Sequence, residues 1–128
     1  MCAFSFLHGV WSVAQLRAEE PIPEWVRIAE TFVSITRTRD ELSIVCPSSW
    51  IPPDVRHEPD WSVIKLHGPF PFTAIGVLAS FSAALAAADI SIVAISTFDT
   101  DYILVKADQA LDAQDALIAA GHLCVESA

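Results

Sequence analysis

The chain has 128 residues and 13.9 kDa, 53% hydrophobic and 18% charged, which suits one packed domain or two very small fused ones. Seven basic against 16 acidic residues leave a net charge of −9. That sign is wrong for neutralising phosphates or adsorbing to an anionic bilayer, so neither nucleic acid nor a membrane is an expected partner.

The start, MCAFSFLHGVWSVAQL, is apolar but has no Lys or Arg ahead of its apolar run, which makes it a poor signal peptide. Cys2, Cys46 and Cys124 are odd in number and form no CxxC pair, so reduced thiols and a cytoplasmic location are expected. Residues 11–16, 32–38 and 42–46 read as three strands, with a stub of helix near 24–28. The proline-broken SSWIPPDVRHEP reads as a connector. Residues 61–67 form the next strand, closed by Gly68 and Pro69, and Thr73 is placed to cap a helix reaching about Ala88. The uncharged run 68–88 could span a bilayer by length. Pro69 and Pro71 open it, however, and no basic cluster flanks it, so it is read as a loop and a buried helix. Residues 90–97 and 102–106 are strands joined by the polar turn Phe98-Asp99-Thr100-Asp101. Asp108 is placed to cap a second helix through Ala120, ended by Gly121, and 123–125 adds a last short strand.

The chain repeats itself. WSVAQL (11–16) recurs as WSVIKL (61–66), fifty positions on, and VSITRTRDELSIV (33–45) aligns with VAISTFDTDYILV (93–105), sixty positions on. Two blocks in the same order point to two copies of one supersecondary unit. On a helical wheel of 75–88, Val77, Leu78, Phe81 and Leu85 share one side, with Ile75 at its edge, and this side should pack on a sheet. The other side holds Gly76, Ala79, Ser80, Ala83, Ala84, Ala86 and Ala87, without a charge, and is read as a face that meets another helix or another chain.

The order β-α-β-β-α-β, the stretch LHGPFPFTAIGVLASFSAALAAADISIVAISTFDTDYILV and the preceding TRTRDELSIVCP resemble the ACT domain. More closely they resemble small bacterial proteins of two ACT-like units, which are similar to the CASTOR arginine sensors of animal cells. STFDTDYILV is the most specific part. The resemblance implies a ferredoxin-like α+β fold in two tandem units, a degenerate one over 1–57 and an ACT domain over 58–128. It also implies pairing of units and binding of a small ligand, usually an amino acid, where units meet. The first unit departs from the pattern in its stunted helices, which suits a structural partner.

The candidate ligand-binding residues are Gly68, Phe72, Thr73, Ala74, Ile75, Asp99 and Asp101. Backbone N–H groups at the helix start favour a carboxylate, and Gly68 allows close approach. An Asp carboxylate in the turn could hold an ammonium, and Asp101 lies where the family places polar ligand contacts. His8, His57, His67 and His122 are dispersed, without metal-ligand spacing, so no metal or cofactor is expected. GxSxG and glycine-rich phosphate loops are absent, and an enzyme is not expected. Arg37, Arg39, Asp40 and Glu41 read as a solvated hairpin tip. The expected function is a cytoplasmic, homodimeric amino-acid-binding sensor or regulatory module acting on a separate enzyme. The alternative is an interaction protein that only pairs.

Overall fold

The structure, a computed structural model, describes residues 2–125. The elements in chain order are β1 (Ala3–Phe6), β2 (Trp11–Leu16), β3 (Ser34–Arg37), β4 (Leu42–Pro47), β5 (His57–Leu66), α1 (Val77–Ala87), β6 (Ile92–Ser96), β7 (Asp101–Lys106), α2 (Ala110–Ala119) and β8 (Leu123–Cys124). The chain forms two compact units. One is Gly9–Asp60; the other joins the chain's start, through His8, to everything from Trp61 onward.

The larger unit has the ferredoxin-like α+β fold, with one addition. β6 pairs antiparallel with β7, β7 with β5, and β5 with β1, while β8 pairs parallel with β1. The N-terminal strand therefore lies between the unit's first and last strands. The expected boundary between 57 and 58 is corrected in this respect, because AFSF belongs to the unit formed by the end of the chain. Its apolar side chains supply the reason, since Phe4 is fully buried among Ile64, Leu66, Phe81, Leu85, Ile103, Val105 and Leu117. Phe4 meets Phe81 edge-on at 5.9 Å between ring centroids.

Helix α1 begins later than Thr73. Gly76 sits at its N-cap with φ +82°, and no side chain caps it. A left-handed residue stops helical propagation toward Thr73, and glycine is the residue that adopts it most cheaply. Phe81 and Leu85 bury the inner face, while Ile75 is 96% exposed and takes no part in the core. Asp108 caps no helix either; it lies in a 3-10 turn, Ala107–Gln109, ahead of α2. Gly121, at φ +97°, follows the end of α2 as expected.

In the smaller unit β3 and β2 both pair antiparallel with β4. No helix forms near 24–28. Pro21 and Pro23 precede this segment, and five residues are too few to sustain an isolated helix. It turns instead, with Val26 N–H on the Pro23 carbonyl at 3.2 Å, and Val26 packs with Ala14, Leu42, Ile44 and Cys46. The pairing pattern equals that of β5, β6 and β7, where first and second strands both pair with the third. The hairpin equivalence runs at an offset of 59, one less than the sixty of the sequence alignment. Thr38-Arg39-Asp40-Glu41 matches Thr97-Phe98-Asp99-Thr100, and each Thr N–H reaches the fourth residue's carbonyl, at 2.9 and 2.8 Å. The Thr hydroxyl accepts the fourth residue's N–H at 3.2 Å in both turns. One residue of slip reverses every side chain's face, so this register is the one that keeps both cores apolar.

Candidate functional site

The turn Thr97–Thr100 is tied to the end of β5 and to the loop beyond it. The Thr100 hydroxyl donates to the Leu66 carbonyl at 2.6 Å, and Phe70 N–H donates to the Asp99 carbonyl at 2.8 Å. These bonds satisfy a buried hydroxyl and three backbone groups, and they tie loop and turn together. Gly68 makes this possible. A Cβ there would lie 2.8 Å from the Asp99 carbonyl oxygen and 2.9 Å from the Phe70 nitrogen. Its backbone thus approaches the turn closely.

A cavity of about 320 Å³ opens between this turn and the start of α1. Phe70, Pro71, Phe72 and Ala74 form one wall, and Gly76–Ala79 present the uncapped first turn of the helix. Ser96–Asp101 form the other wall. Among the described residues, Asp99 and Asp101 are the charged ones lining it. The Ser96 hydroxyl donates to Asp101 Oδ1, which holds that carboxylate in place. Phe72 and Phe98 meet edge-on, centroids 5.0 Å apart, yet are 78% and 80% exposed.

Four candidate residues therefore share one cavity: Phe72, Ala74, Asp99 and Asp101. Gly68 lines a separate cavity of about 240 Å³, with Lys65, His67, Tyr102 and again Asp99. Ile75 lines a third, of about 180 Å³, beside Cys2 and His122. Thr73 lines none of these. Sequence reasoning missed Ser96, Thr97, Phe98 and the helix start at Gly76–Ala79. Phe98, a large aromatic inside the polar TFDT turn, was the available signal.

Among the described residues no group of three or more His, Cys, Asp or Glu side chains is placed to hold a metal, and no helix is long and apolar enough to cross a membrane. Cys2, Cys46 and Cys124 are free thiols. Burial raises all three above the ordinary thiol value, Cys46 to about 11, which favours the protonated thiol near neutrality.

A family model described as an ACT domain matches residues 56–119, and a second, described as an N-terminal domain, matches residues 9–54. Protein Atu0741 from Agrobacterium tumefaciens is 42% identical, with a TM-score of 0.92 over 99% of this chain and 94% of its own. The Vibrio cholerae protein VC0802, of unknown function, is 20% identical, with a TM-score of 0.70 over 92% of this chain and 88% of its own. The regulatory subunit of aspartate kinase from Thermus flavus is 11% identical, with a TM-score of 0.62 over 91% of this chain and 95% of its own. No curated protein matches.

Proposed function

The chain belongs to the ACT domain family, and from that premise we propose that it is a small-molecule sensor or regulatory module that binds an amino acid in the cavity between α1 and the Thr97–Thr100 turn. One observation carries the reading. A single cavity joins the uncapped N–H groups of Gly76–Ala79 to the carboxylates of Asp99 and Asp101. The helix start suits an α-carboxylate, and the aspartates suit an α-ammonium. A thermal-shift screen of the twenty amino acids tests it, because a ligand that binds the native state alone must stabilise it. For the amino acid that stabilises, Asp101→Asn is expected to weaken binding by one to two orders of magnitude, following the loss of about 1.5–3 kcal/mol for a charged hydrogen bond. Unchanged affinity by calorimetry would restrict Asp101 to holding Ser96.

We further propose that the chain acts as a homodimer in the cytoplasm and regulates a separate enzyme, as the Thermus flavus neighbour is a regulatory subunit of one. The smaller unit, on this reading, is a degenerate ACT-like partner of the kind found in bacterial two-unit proteins and their CASTOR relatives. Phe72 and Phe98 are exposed at the cavity and Ile75 is exposed beside the smaller one, and Ala79, Ala83, Ala86 and Ala87 leave the outer face of α1 bare of charge. A second copy covering these surfaces would remove them from water. Ala83→Glu should then halve the mass seen by light scattering, since burying a carboxylate without a partner is costly. An unaltered mass would remove this helix face from the interface. The same exposed surfaces also favour a protein that only pairs. A screen in which no amino acid raises the melting temperature would select that reading.

A further inference from the structure

His122 lies in the larger unit immediately before β8, almost fully buried, its ring stacked 4.0 Å from that of Phe81. Its two nitrogens hold different elements. The backbone N–H of Cys2, ahead of β1, donates to Nδ1 at 3.2 Å, and Nε2 lies 2.9 Å from the Ser80 hydroxyl on α1. An N–H group can only donate, so Nδ1 is the acceptor and the ring proton of the neutral imidazole sits on Nε2. The pair is therefore not a catalytic dyad, because a protonated Nε2 cannot take the serine's proton.

The cavity of about 180 Å³ beside this ring is lined by Cys2, Ile75, Gly76, Val77, Ser80 and His122. Gly76 and Val77 also line the 320 Å³ cavity. The first turn of α1 thus lies between two cavities at Gly76 and Val77, while the Val77 and Leu78 side chains pack against the core.

We propose that His122 is a positioning residue for the candidate ligand cavity: in its neutral form it ties the N-terminal strand, through Cys2, to the start of α1, through Ser80, and so fixes the helix turn that walls the cavity. The link concerns the site of the proposed amino-acid binding and rests on that reading only for its purpose. Protonation makes Nδ1 a second donor, which cannot coexist with the Cys2 N–H facing it. Burial first, and the positive charge of the amino terminus second, hold His122 below its ordinary value. Among the described residues, the titratable side chains where β1 and β8 meet this ring are the thiols of Cys2 and Cys124, both raised by burial and so neutral throughout this range. α1 and α2 bring Ser80, Phe81 and the Leu117 carbonyl to it, none of them charged. The sign follows. A lowered native value means that the unfolded chain binds the proton more readily, so the stabilisation is complete above about pH 6.5 and is lost as pH falls through the native value.

The test is amide hydrogen exchange on the full chain without ligand, corrected for intrinsic rates, at pH 7.5 and 5.5. Amides of 80–83 donate to the first-turn carbonyls of α1, as Ser80 does to Gly76. In the parent they should exchange several-fold faster at pH 5.5. In Ser80→Ala they should already be fast at pH 7.5, while Leu123 and Val125, bonded to the Cys2 and Phe4 carbonyls, stay protected. His122→Phe keeps the ring stack and should remove the pH dependence; should it fail to fold, Ser80→Ala decides alone. Parental exchange in Ser80→Ala at pH 7.5, or a His122 titrating at or above 6.5 by NMR, overturns the proposal. Because no ligand enters the experiment, a flat amino-acid screen would sink the binding reading and leave this one standing.

Discussion

Phe4→Ala is expected to lower the unfolding free energy by about 3–5 kcal/mol, the range for truncating a fully buried aromatic. Folded domains of this size hold only about 5–15 kcal/mol in all, so the variant should be partly unfolded at physiological temperature. Phe4 has no exposed surface, meets Phe81 and Phe6 edge-on, and sits on a strand bonded on both sides. Truncation leaves a cavity that β1 cannot close by moving, because Leu7 N–H is bonded to the Val63 carbonyl and His67 N–H to the Ala3 carbonyl, both at 2.9 Å. Urea denaturation followed by circular dichroism measures it. A loss below about 1 kcal/mol would mean that AFSF is an accessory strand and that β5 to β8 hold together without it.

Gly68→Ala should be the most damaging small substitution near the cavity, at about 1–3 kcal/mol. The added Cβ meets two backbone atoms, the Asp99 carbonyl oxygen and the Phe70 nitrogen, and neither can rotate away. The loop must shift, and the Phe70 N–H bond to Asp99 at 2.8 Å is then lost. Gly76 provides the control. Its surroundings are open, with nothing within 4 Å of an added Cβ, but its φ is +82°. Gly76→Ala should therefore cost about 1 kcal/mol through backbone conformation alone. Comparing the two denaturation midpoints separates crowding from conformation. A Gly76 variant that is the worse of the two would show that the loop adjusts freely and that these bonds do not tie it to the turn.

Much of the fold is local chemistry and was legible. β2, β4 and β7 read as strands because WSVAQL, LSIVCP and DYILVK are rich in residues that fit a half-buried pleat. The inner face of α1 followed from the helical spacing of Phe81 and Leu85, whereas the turn expected over Phe98–Asp101 lies one residue earlier, at Thr97–Thr100, because the Thr97 hydroxyl and backbone close it. Asp99 and Asp101 stood out for the same local reason. Only the folded chain placed them in the same cavity as Gly76–Ala79, since the hydrogen bonds joining turn and loop are made between residues about thirty positions apart.

By itself, then, the sequence determined the strands from β2 onward, the existence of the two helices and the similarity of 11–16 to 61–66 and of 33–45 to 93–105 that carries the resemblance to the ACT family. Tertiary structure alone decided where AFSF goes. Four residues, three of them apolar, are too few to carry a period, and β1 gains its place from two strand edges, one on β5 and one on β8, the latter about 120 positions away. It also decided the repeat's register, because 59 and sixty align equally well as letters but only one keeps the buried faces inward. The start of α1 was decided there too, since propensity allows a helix from Thr73. The loop is instead held out by Phe70 on Asp99 and released into the helix only after the left-handed turn at Gly76. Propensity acts over a few neighbouring residues, whereas these three outcomes depend on hydrogen-bonding edges and apolar surfaces that exist only once distant segments have met.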